Sequence, residues 1–299
     1  MNRRALGPGG LVVVDKSGGM TSHDVVARVR RLAGTRRVGH GGTLDPMATG
    51  VLVIGVERAT RLLTYVIGAT KRYQATIRLG QATVTDDAEG EVTASASAAG
   101  VTEDRIRAEL ARLTGTIEQV PSAVSAIKVN GRRAYARVRA GEEVSLAARR
   151  VTVSRLVLGD LRRVADDRLD LDVDVECSSG TYVRAIARDL GAALAVGGHL
   201  TALRRTAVGA FTLTEARTLD RLAERDDPVT LPLSAAAARF FPRRDAAPDE
   251  ARVLGHGGSL EPIGVDGPYA VFGPDGEVIA VVVERGGRAS AEIVLNPAG

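Results

Sequence analysis

One segment concentrates residue types that could do chemistry: Arg36-Arg37-Val38-Gly39-His40-Gly41-Gly42-Thr43-Leu44-Asp45-Pro46-Met47-Ala48-Thr49-Gly50. Asp45 is followed by Pro46, which restrains the aspartate to extended geometry. Gly39, Gly41 and Gly42 precede it and let a bulky ligand approach the backbone closely. Composition alone makes an Asp-Pro in a glycine loop a turn former. Its surroundings change that reading. The loop joins an arginine-bearing helix to a buried strand, so a carboxylate here is held rigidly beside a cationic surface. Within twenty positions of Asp45 the only other acidic residue is Glu57. A paired-carboxylate glycosidase would therefore have to draw its partner from elsewhere in the chain.

Other chemistries find little support. The sequence has no phosphate-binding glycine loop of the Walker type, no Gly-x-Ser-x-Gly elbow and no His-Glu-x-x-His helix. Its four histidines, at 23, 40, 199 and 256, do not make ligand spacing. The single cysteine, Cys177, follows an alternating strand and reads as a buried small hydrophobe. It excludes an internal disulfide framework. No cofactor and no metal are expected.

The elements that must position the loop are legible in pattern. Leu11 to Val14 reads as a strand, and Ser22 is the predicted N-cap of a helix carrying Val25, Val26, Val29 and Leu32 at helical spacing. That helix bears Arg28, Arg30 and Arg31. Val51 to Val56 reads as a buried strand, Arg58 to Val66 as a helix and Tyr73 to Leu79 as a strand. Thr102 opens a helix closed by Gly115, and Leu169 to Glu176 alternates strictly as a strand with an acidic, solvent-facing side. Thr181 to Leu194 follows as a helix. Thr93 to Gly100 suits a surface loop. Beyond Pro242 the pattern changes to short β runs with Gly-Pro and Asp-Gly turns.

Charge is unevenly divided along the 299 residues. Residues 1–80 carry 13 basic against 4 acidic side chains and residues 121–150 carry 7 against 2, inside a chain of net charge +4. Two basic blocks of this kind are the footprint of a polyanion partner. Only three basic residues are lysines, Lys16, Lys71 and Lys128, so each draws attention. The longest uncharged stretch, Leu190 to Leu203, is shorter than the ~20 apolar residues of a membrane span. The N-terminus lacks an apolar signal core. A cytoplasmic protein with no membrane partner is expected.

Gly39-His40-Gly41-Gly42-Thr43-Leu44-Asp45-Pro46-x-Ala48-Thr49-Gly50 resembles the catalytic motif of the bacterial TruB family, tRNA pseudouridine synthases that modify uridine 55 in the T loop. Further matching stretches follow in order: Val14-Asp15-Lys16 with Gly19 to Ser22, Lys71-Arg72-Tyr73, Leu79-Gly80-Gln81, Gln119 to Ser122, and Ser125 to Lys128. Later come Arg132 to Tyr135, Cys177 to Arg184 and Leu203-Arg204-Arg205. The resemblance spans about residues 10 to 210. Ser17 departs from it, standing where the family usually has proline.

The resemblance implies an α+β fold: a catalytic domain over 1–230 with a mixed, mainly antiparallel sheet flanked by helices. It also implies an RNA-closing insertion at about 121–150 and a small β-rich, PUA-like RNA-binding domain over 231–299. It assigns Asp45 as nucleophile, Arg184 as the arginine that pairs with it, and Tyr73 as the aromatic that stacks on the target base. His40 matches a residue that fills the gap left by the flipped uridine, and Tyr182 and Leu203 look like pocket walls. Lys16, Lys128, Arg132, Arg133 and Arg204 are expected to contact RNA. The partner is then the T arm of tRNA, met by a monomer without an obligatory protein partner or cofactor. Two other readings differ in class. A non-catalytic tRNA-folding protein on the same fold would not need the Asp45, Tyr73 and Arg184 set. A guide-RNA-dependent subunit would need protein partners, for which the chain offers no extra interaction segment.

Overall fold

The computed structural model describes residues 9–122, 128–129, 132–133 and 146–297, the two dipeptides as backbone only. The chain forms two compact units, residues 1–46, 50–68 and 208–299 in the first, 47–49 and 69–207 in the second.

The first unit begins with β1 (Gly9–Lys16), whose Leu11 to Val14 are buried in an unbroken run. Helix α1 (Ser22–Ala33) follows, then β2 (Val38–His40) and β3 (Thr49–Glu57). β1 and β3 pair antiparallel from Gly9 opposite Glu57 to Lys16 opposite Gly50, and β2 pairs with the far end of β3. The predicted cap of α1 shifts by one residue. Thr21 accepts from the Asp24 N–H while Asp24 accepts from the Thr21 N–H, a reciprocal capping box. Ser22 is freed for a different task, described below. The helix predicted over 58–66 is split into a 3-10 turn, Arg58–Leu62, and α2 (Leu63–Gly68).

The second unit holds β4 (Lys71–Leu79), the hairpin β5 (Gln81–Thr83) and β6 (Val92–Ser95), and α3 (Glu103–Arg112). Next come β7 (Gly115–Gln119), the dipeptide strands β8 (Lys128–Val129) and β9 (Arg132–Arg133), β10 (Arg149–Ala165) and β11 (Arg168–Cys177). Helix α4 (Val183–Ala193) and β12 (Gly198–Val208) complete it. The strands run in the order β12, β4, β11, β10, β7. Gly115 starts β7 rather than capping α3, which ends at Arg112 with Leu113 as its C-cap. Part of the stretch read as a loop at 93–100 is the exposed strand β6. On the acidic side of β11, Asp174 is exposed, whereas Asp170 and Asp172 are paired. Asp170 lies directly opposite Arg78 and takes two hydrogen bonds of 2.8 Å from it, and Asp172 accepts from Thr76 and Arg162.

The remainder of the first unit is β13 (Phe211–Thr212), α5 (Leu219–Ala223), β14 (Leu231–Pro232) on the edge of β1, and α6 (Leu233–Phe240). A five-stranded sheet follows from β15 (Arg243–Asp245), β16 (Ser259–Leu260), β17 (Tyr269–Phe272), β18 (Val278–Arg285) and β19 (Arg288–Val294). Between β15 and β16 lies α7 (Pro248–Gly255), which sequence pattern does not anticipate. The core of this sheet is small: Leu254, Leu260, Tyr269, Val271, Ala280 and Val282 form its centre. It is tied to residues 58–65 of the same unit. Arg58 bonds the Asn296 side chain, Tyr65 donates to Glu292 at 2.8 Å, and the Tyr65 ring meets Phe241 edge-on at 4.6 Å. Burial, with the Glu292 contact adding to it, pushes the Tyr65 hydroxyl up to about 12.

Candidate active site

The glycine loop is held by its backbone. Gly41 N–H donates to Val53 O at 2.8 Å, and a Cβ on Gly41 would lie 2.3 Å from Val66 Cγ1, so only glycine fits. Ser22, released from capping, is buried under the loop. Its Oγ donates to Leu44 O at 3.2 Å and accepts from Leu44 N–H at 2.9 Å. On the other side, Pro46 O accepts from Gly19 N–H at 2.9 Å and from Lys16 Nζ at 3.1 Å. Asp45 is thus pinned through both chain neighbours while remaining half-buried itself. A carboxylate fixed in this way meets a substrate without first having to be ordered.

The contact expected between Lys16 and RNA phosphate is corrected by the structure. Lys16 is fully buried, and its Nζ also donates to Ser17 O at 2.9 Å and Met20 O at 2.8 Å. Its ammonium organises the loop beneath Asp45 and does not face solvent. His40 lies at the end of β2, half-buried, with its ring 5.5 Å from that of His23 in a T-shaped arrangement.

In the second unit Tyr73 sits on the buried face of β4, in register with Val175. Lys71, two residues earlier on that face, is opposite Cys177. Burial, and then the nearby Arg205, brings the Lys71 amine down to about 8. Burial pushes the Cys177 thiol up to about 11, in keeping with a packed hydrophobe rather than a nucleophile.

Arg184 is the second residue of α4 and is 5% exposed. A cation in the first turn of a helix opposes the backbone dipole, so its position needs a compensating anion. Asp87 supplies one: its Oδ2 lies 3.5 Å from Arg184 Nη1, with both side chains buried, and Nη1 also donates to Thr85 O at 2.8 Å. Asp87 accepts further from Thr85 Oγ1 and Glu89 N–H. Sequence reasoning does not single out Asp87. The dense Thr83-Val84-Thr85-Asp86-Asp87 run is its only available signal, because such residues bond their own backbone.

Tyr182 caps α4 and is clamped at two points. Its N–H donates to Gln119 Oε1 at 2.9 Å, and Gln119 Nε2 donates to its carbonyl at 3.1 Å. Leu203 and Arg204 border a cleft of about 640 Å³ whose walls include Met47, Thr49, Gln74 and Asp174, and Arg204 donates to Thr49 Oγ1 at 3.3 Å. The cleft begins two residues after Asp45 in the chain. The side chains of Lys128, Arg132 and Arg133 lie outside the described residues, as does most of the expected insertion. Among the described residues no cluster of three or more histidine, cysteine or carboxylate side chains is arranged to hold a metal. None of their helices is long and apolar enough to cross a membrane.

Comparison with known proteins gives three consecutive family matches. Residues 30–183 match the TruB family pseudouridylate synthase N-terminal domain, 184–229 the tRNA pseudouridylate synthase B C-terminal domain, and 241–296 the tRNA pseudouridine synthase II C-terminal domain. The chain is similar to tRNA pseudouridine synthase B of Rhodococcus jostii, 62% identical over 97% of this chain and 94% of that protein. It is 59% identical to tRNA pseudouridine synthase B of Mycobacterium ulcerans over 100% of this chain and 99% of the relative. Among solved structures, the archaeal box H/ACA sRNP Nop10–Cbf5 complex aligns over 97% of this chain and 87% of its own with a TM-score of 0.69 at 25% identity.

Proposed function

We propose, since the chain belongs to the TruB family of pseudouridylate synthases and is a tRNA-modifying isomerase, that its target is uridine 55 of the T loop and that Asp45 is its nucleophile. Isomerisation breaks the N1–C1′ bond, turns the base and forms the C5–C1′ bond; C5 loses a proton and N1 gains one. No electrons are exchanged and no water is consumed, so the reaction needs a nucleophile, proton handling and a shaped site, but no cofactor. The Asp45 carboxylate bonds the nucleotide transiently, splitting the exchange into two easier steps. The observation that carries this reading is the pinning of Leu44 and Pro46 around a half-buried carboxylate.

Arg184 pairs with that carboxylate, and Asp87 holds the Arg184 guanidinium. Tyr73 stacks on the target base and assists proton removal at C5, and Tyr182 and Leu203 wall the pocket. His40 fills the space left by the extruded uridine, whose unstacking costs a few kcal/mol. Lys128, Arg132, Arg133 and Arg204 contact the RNA. Residues 1–230 form the catalytic domain and 231–299 the small RNA-binding domain. The enzyme works on the T arm as a cytoplasmic monomer, without a partner protein such as the Nop10 of the archaeal complex.

The test is pseudouridine mapping in an unmodified tRNA transcript after incubation with the purified protein alone. Product confined to position 55 is expected. Asp45→Asn should abolish it while tRNA affinity stays within about tenfold, ~1.4 kcal/mol, because binding is spread over many phosphates. Arg184→Lys should lose much of the activity, since lysine lacks the planar two-point grip. Appreciable product from Asp45→Asn removes Asp45 as nucleophile. RNA refolding by the wild-type protein without any pseudouridine favours the tRNA-folding reading.

A further inference from the structure

Helix α4 carries a second arginine, Arg188, one turn beyond Arg184 and on the same face. The mechanism above gives it no role. Three of its contacts are nevertheless specific. Nη1 lies 3.3 Å from Asp86 Oδ2, Nη2 donates to Val120 O at 2.7 Å, and Nε donates to Asp189 Oδ1 at 2.9 Å.

Asp86 is a costly residue to keep. Its backbone has φ of +60°, a left-handed conformation that side-chain-bearing residues rarely adopt. Its side chain is only 12% exposed, and burial pushes its carboxyl above the ordinary range while Arg188 pulls the other way. A turn that accepts both penalties is held there by its surroundings. What it holds is the next residue. Asp86 and Asp87 are consecutive, so the pairs Arg188–Asp86 and Arg184–Asp87 join one helix face to one turn at two successive points.

The strand end at Gln119-Val120 closes the frame. Gln119 clamps Tyr182, two residues ahead of Arg184, and Val120 O takes the second arm of Arg188. Helix, acidic turn and strand end are thus cross-linked by side chains around the one guanidinium. Gln119 is 2% exposed, so its paired amide bonds are shielded from water.

We infer that Arg188, acting through Asp86 and Val120, is a positioning residue for the isomerisation: it fixes the turn that presents Asp87 to Arg184. The inference rests on the reading of Arg184 as the partner of the nucleophile. It requires Arg188 to touch neither the RNA nor the reacting atoms. Loss of Arg188 frees the strained Asp86 turn to relax, Asp87 drifts and the Arg184 guanidinium loses its register. Misplacement of about 1 Å at a reacting centre costs up to roughly a hundredfold in rate.

The experiment is single-turnover pseudouridine formation on a tRNA transcript at saturating enzyme, beside filter binding and thermal melting of the same preparations. Arg188→Ala should lower the rate constant about tenfold or more while the tRNA Kd changes by less than about threefold. Arg188→Lys keeps the ion pair but cannot reach Asp86 and Val120 together, so it should restore an intermediate rate. Combining Arg188→Ala with Asp86→Ala should slow the enzyme no further than the slower single variant, because both act through one turn. An unchanged rate constant in Arg188→Ala, a loss confined to Kd, or additive effects of the two variants would overturn the inference. If Arg188→Ala does not fold, Arg188→Lys and Asp86→Asn carry the same comparison. Arg184→Lys is run alongside: full activity in that variant removes the reading of Arg184, whereas its loss with an unimpaired Arg188→Ala removes only the role of Arg188.

Discussion

Replacing Lys16 by methionine keeps most of the side chain's volume and removes its ammonium. Three hydrogen bonds of 2.8–3.1 Å, to Ser17, Met20 and Pro46 carbonyls, disappear with it. Bonds to a charged group contribute roughly 1.5–3 kcal/mol each, so three at the low end exceed about 4 kcal/mol. Part of this returns. Ser17 is exposed and its carbonyl regains water, Pro46 O keeps the Gly19 N–H, and the desolvation cost of a buried cation vanishes. A net loss of about 3 kcal/mol remains, which lowers the melting temperature by roughly 6–12 °C at 2–4 °C per kcal/mol. Activity should fall further than stability, because Pro46 follows Asp45 and a shifted loop costs about 10–100-fold in single-turnover rate. The assay pairs thermal melting with single-turnover isomerisation below the new melting point. A Lys16→Met variant that melts within about 1 °C of the parent and instead flattens the salt dependence of tRNA binding by about one phosphate's worth would refute the internal role of Lys16. That outcome belongs to a surface phosphate contact, the role that sequence alone suggests for this lysine.

Asp87→Asn keeps the shape of the Arg184 partner but not its charge, and should reduce the single-turnover rate about tenfold or more with tRNA binding unchanged; an equal rate would make Asp87 a turn residue only. Lys71 gives a pH signature. Its folded value of about 8 lies below the ordinary 10.5, so the unfolded chain binds the extra proton between them and stability rises as pH passes 8. Cys177 has the opposite sign: its folded value, about 11, lies above 9.0, so its contribution declines above pH 9. Stability should therefore climb from pH 8 to 9 and level off beyond, Lys71→Met should abolish the climb, and Cys177→Ala should extend it toward 10.5, read by urea midpoints. Replacing Arg31, Arg36 and Arg37 by alanine should lower the log–log salt slope of tRNA binding by about 0.7–0.9 for each phosphate no longer neutralised; an unchanged slope moves the footprint elsewhere. Turnover should persist in EDTA once the RNA is folded, and a specific requirement for zinc would contradict the proposed chemistry.

Legibility in the sequence follows the physics of each element. β11 shows itself because every second residue from Leu169 faces the core, which a period of two records directly. α1 is evident from Val25, Val26 and Val29, yet its cap is displaced by one, since Thr21 and Ser22 can both cap and the Asp24 contact selects Thr21. α7 escapes notice because Leu254 is its one buried residue and a single apolar position has no period. The Pro248-Asp249-Glu250 start is nevertheless readable, with proline and acid in the first turn. At the site, the loop motif puts forward Asp45, and the resemblance puts forward Tyr73 and Arg184. Asp87 stays hidden in an acidic stretch that looks solvated, although the fold leaves it only 3% exposed.

Aromatic side chains make up only 3% of the chain, and its interior holds several charged side chains. Lys16, Lys71, Asp87, Arg184 and Arg205 are each no more than 6% exposed. A buried ion is a poor source of net stability, because desolvation cancels much of what its partners return. It is a good source of geometry, because a charge deprived of water tolerates few positions. This separates two uses of basic residues that a charge count merges. Arg28, Arg30, Arg31, Arg36 and Arg37 are exposed and can form an electrostatic footprint for RNA. Lys16 and Lys71 are buried. Scarcity marks those lysines as unusual, and rightly, but only burial and the carbonyls around Nζ show that Lys16 is an internal strut. A basic residue in such a chain therefore reads as an RNA contact only after its exposure is known, and the surface arginines, not Lys16 or Lys71, should set the salt dependence of binding.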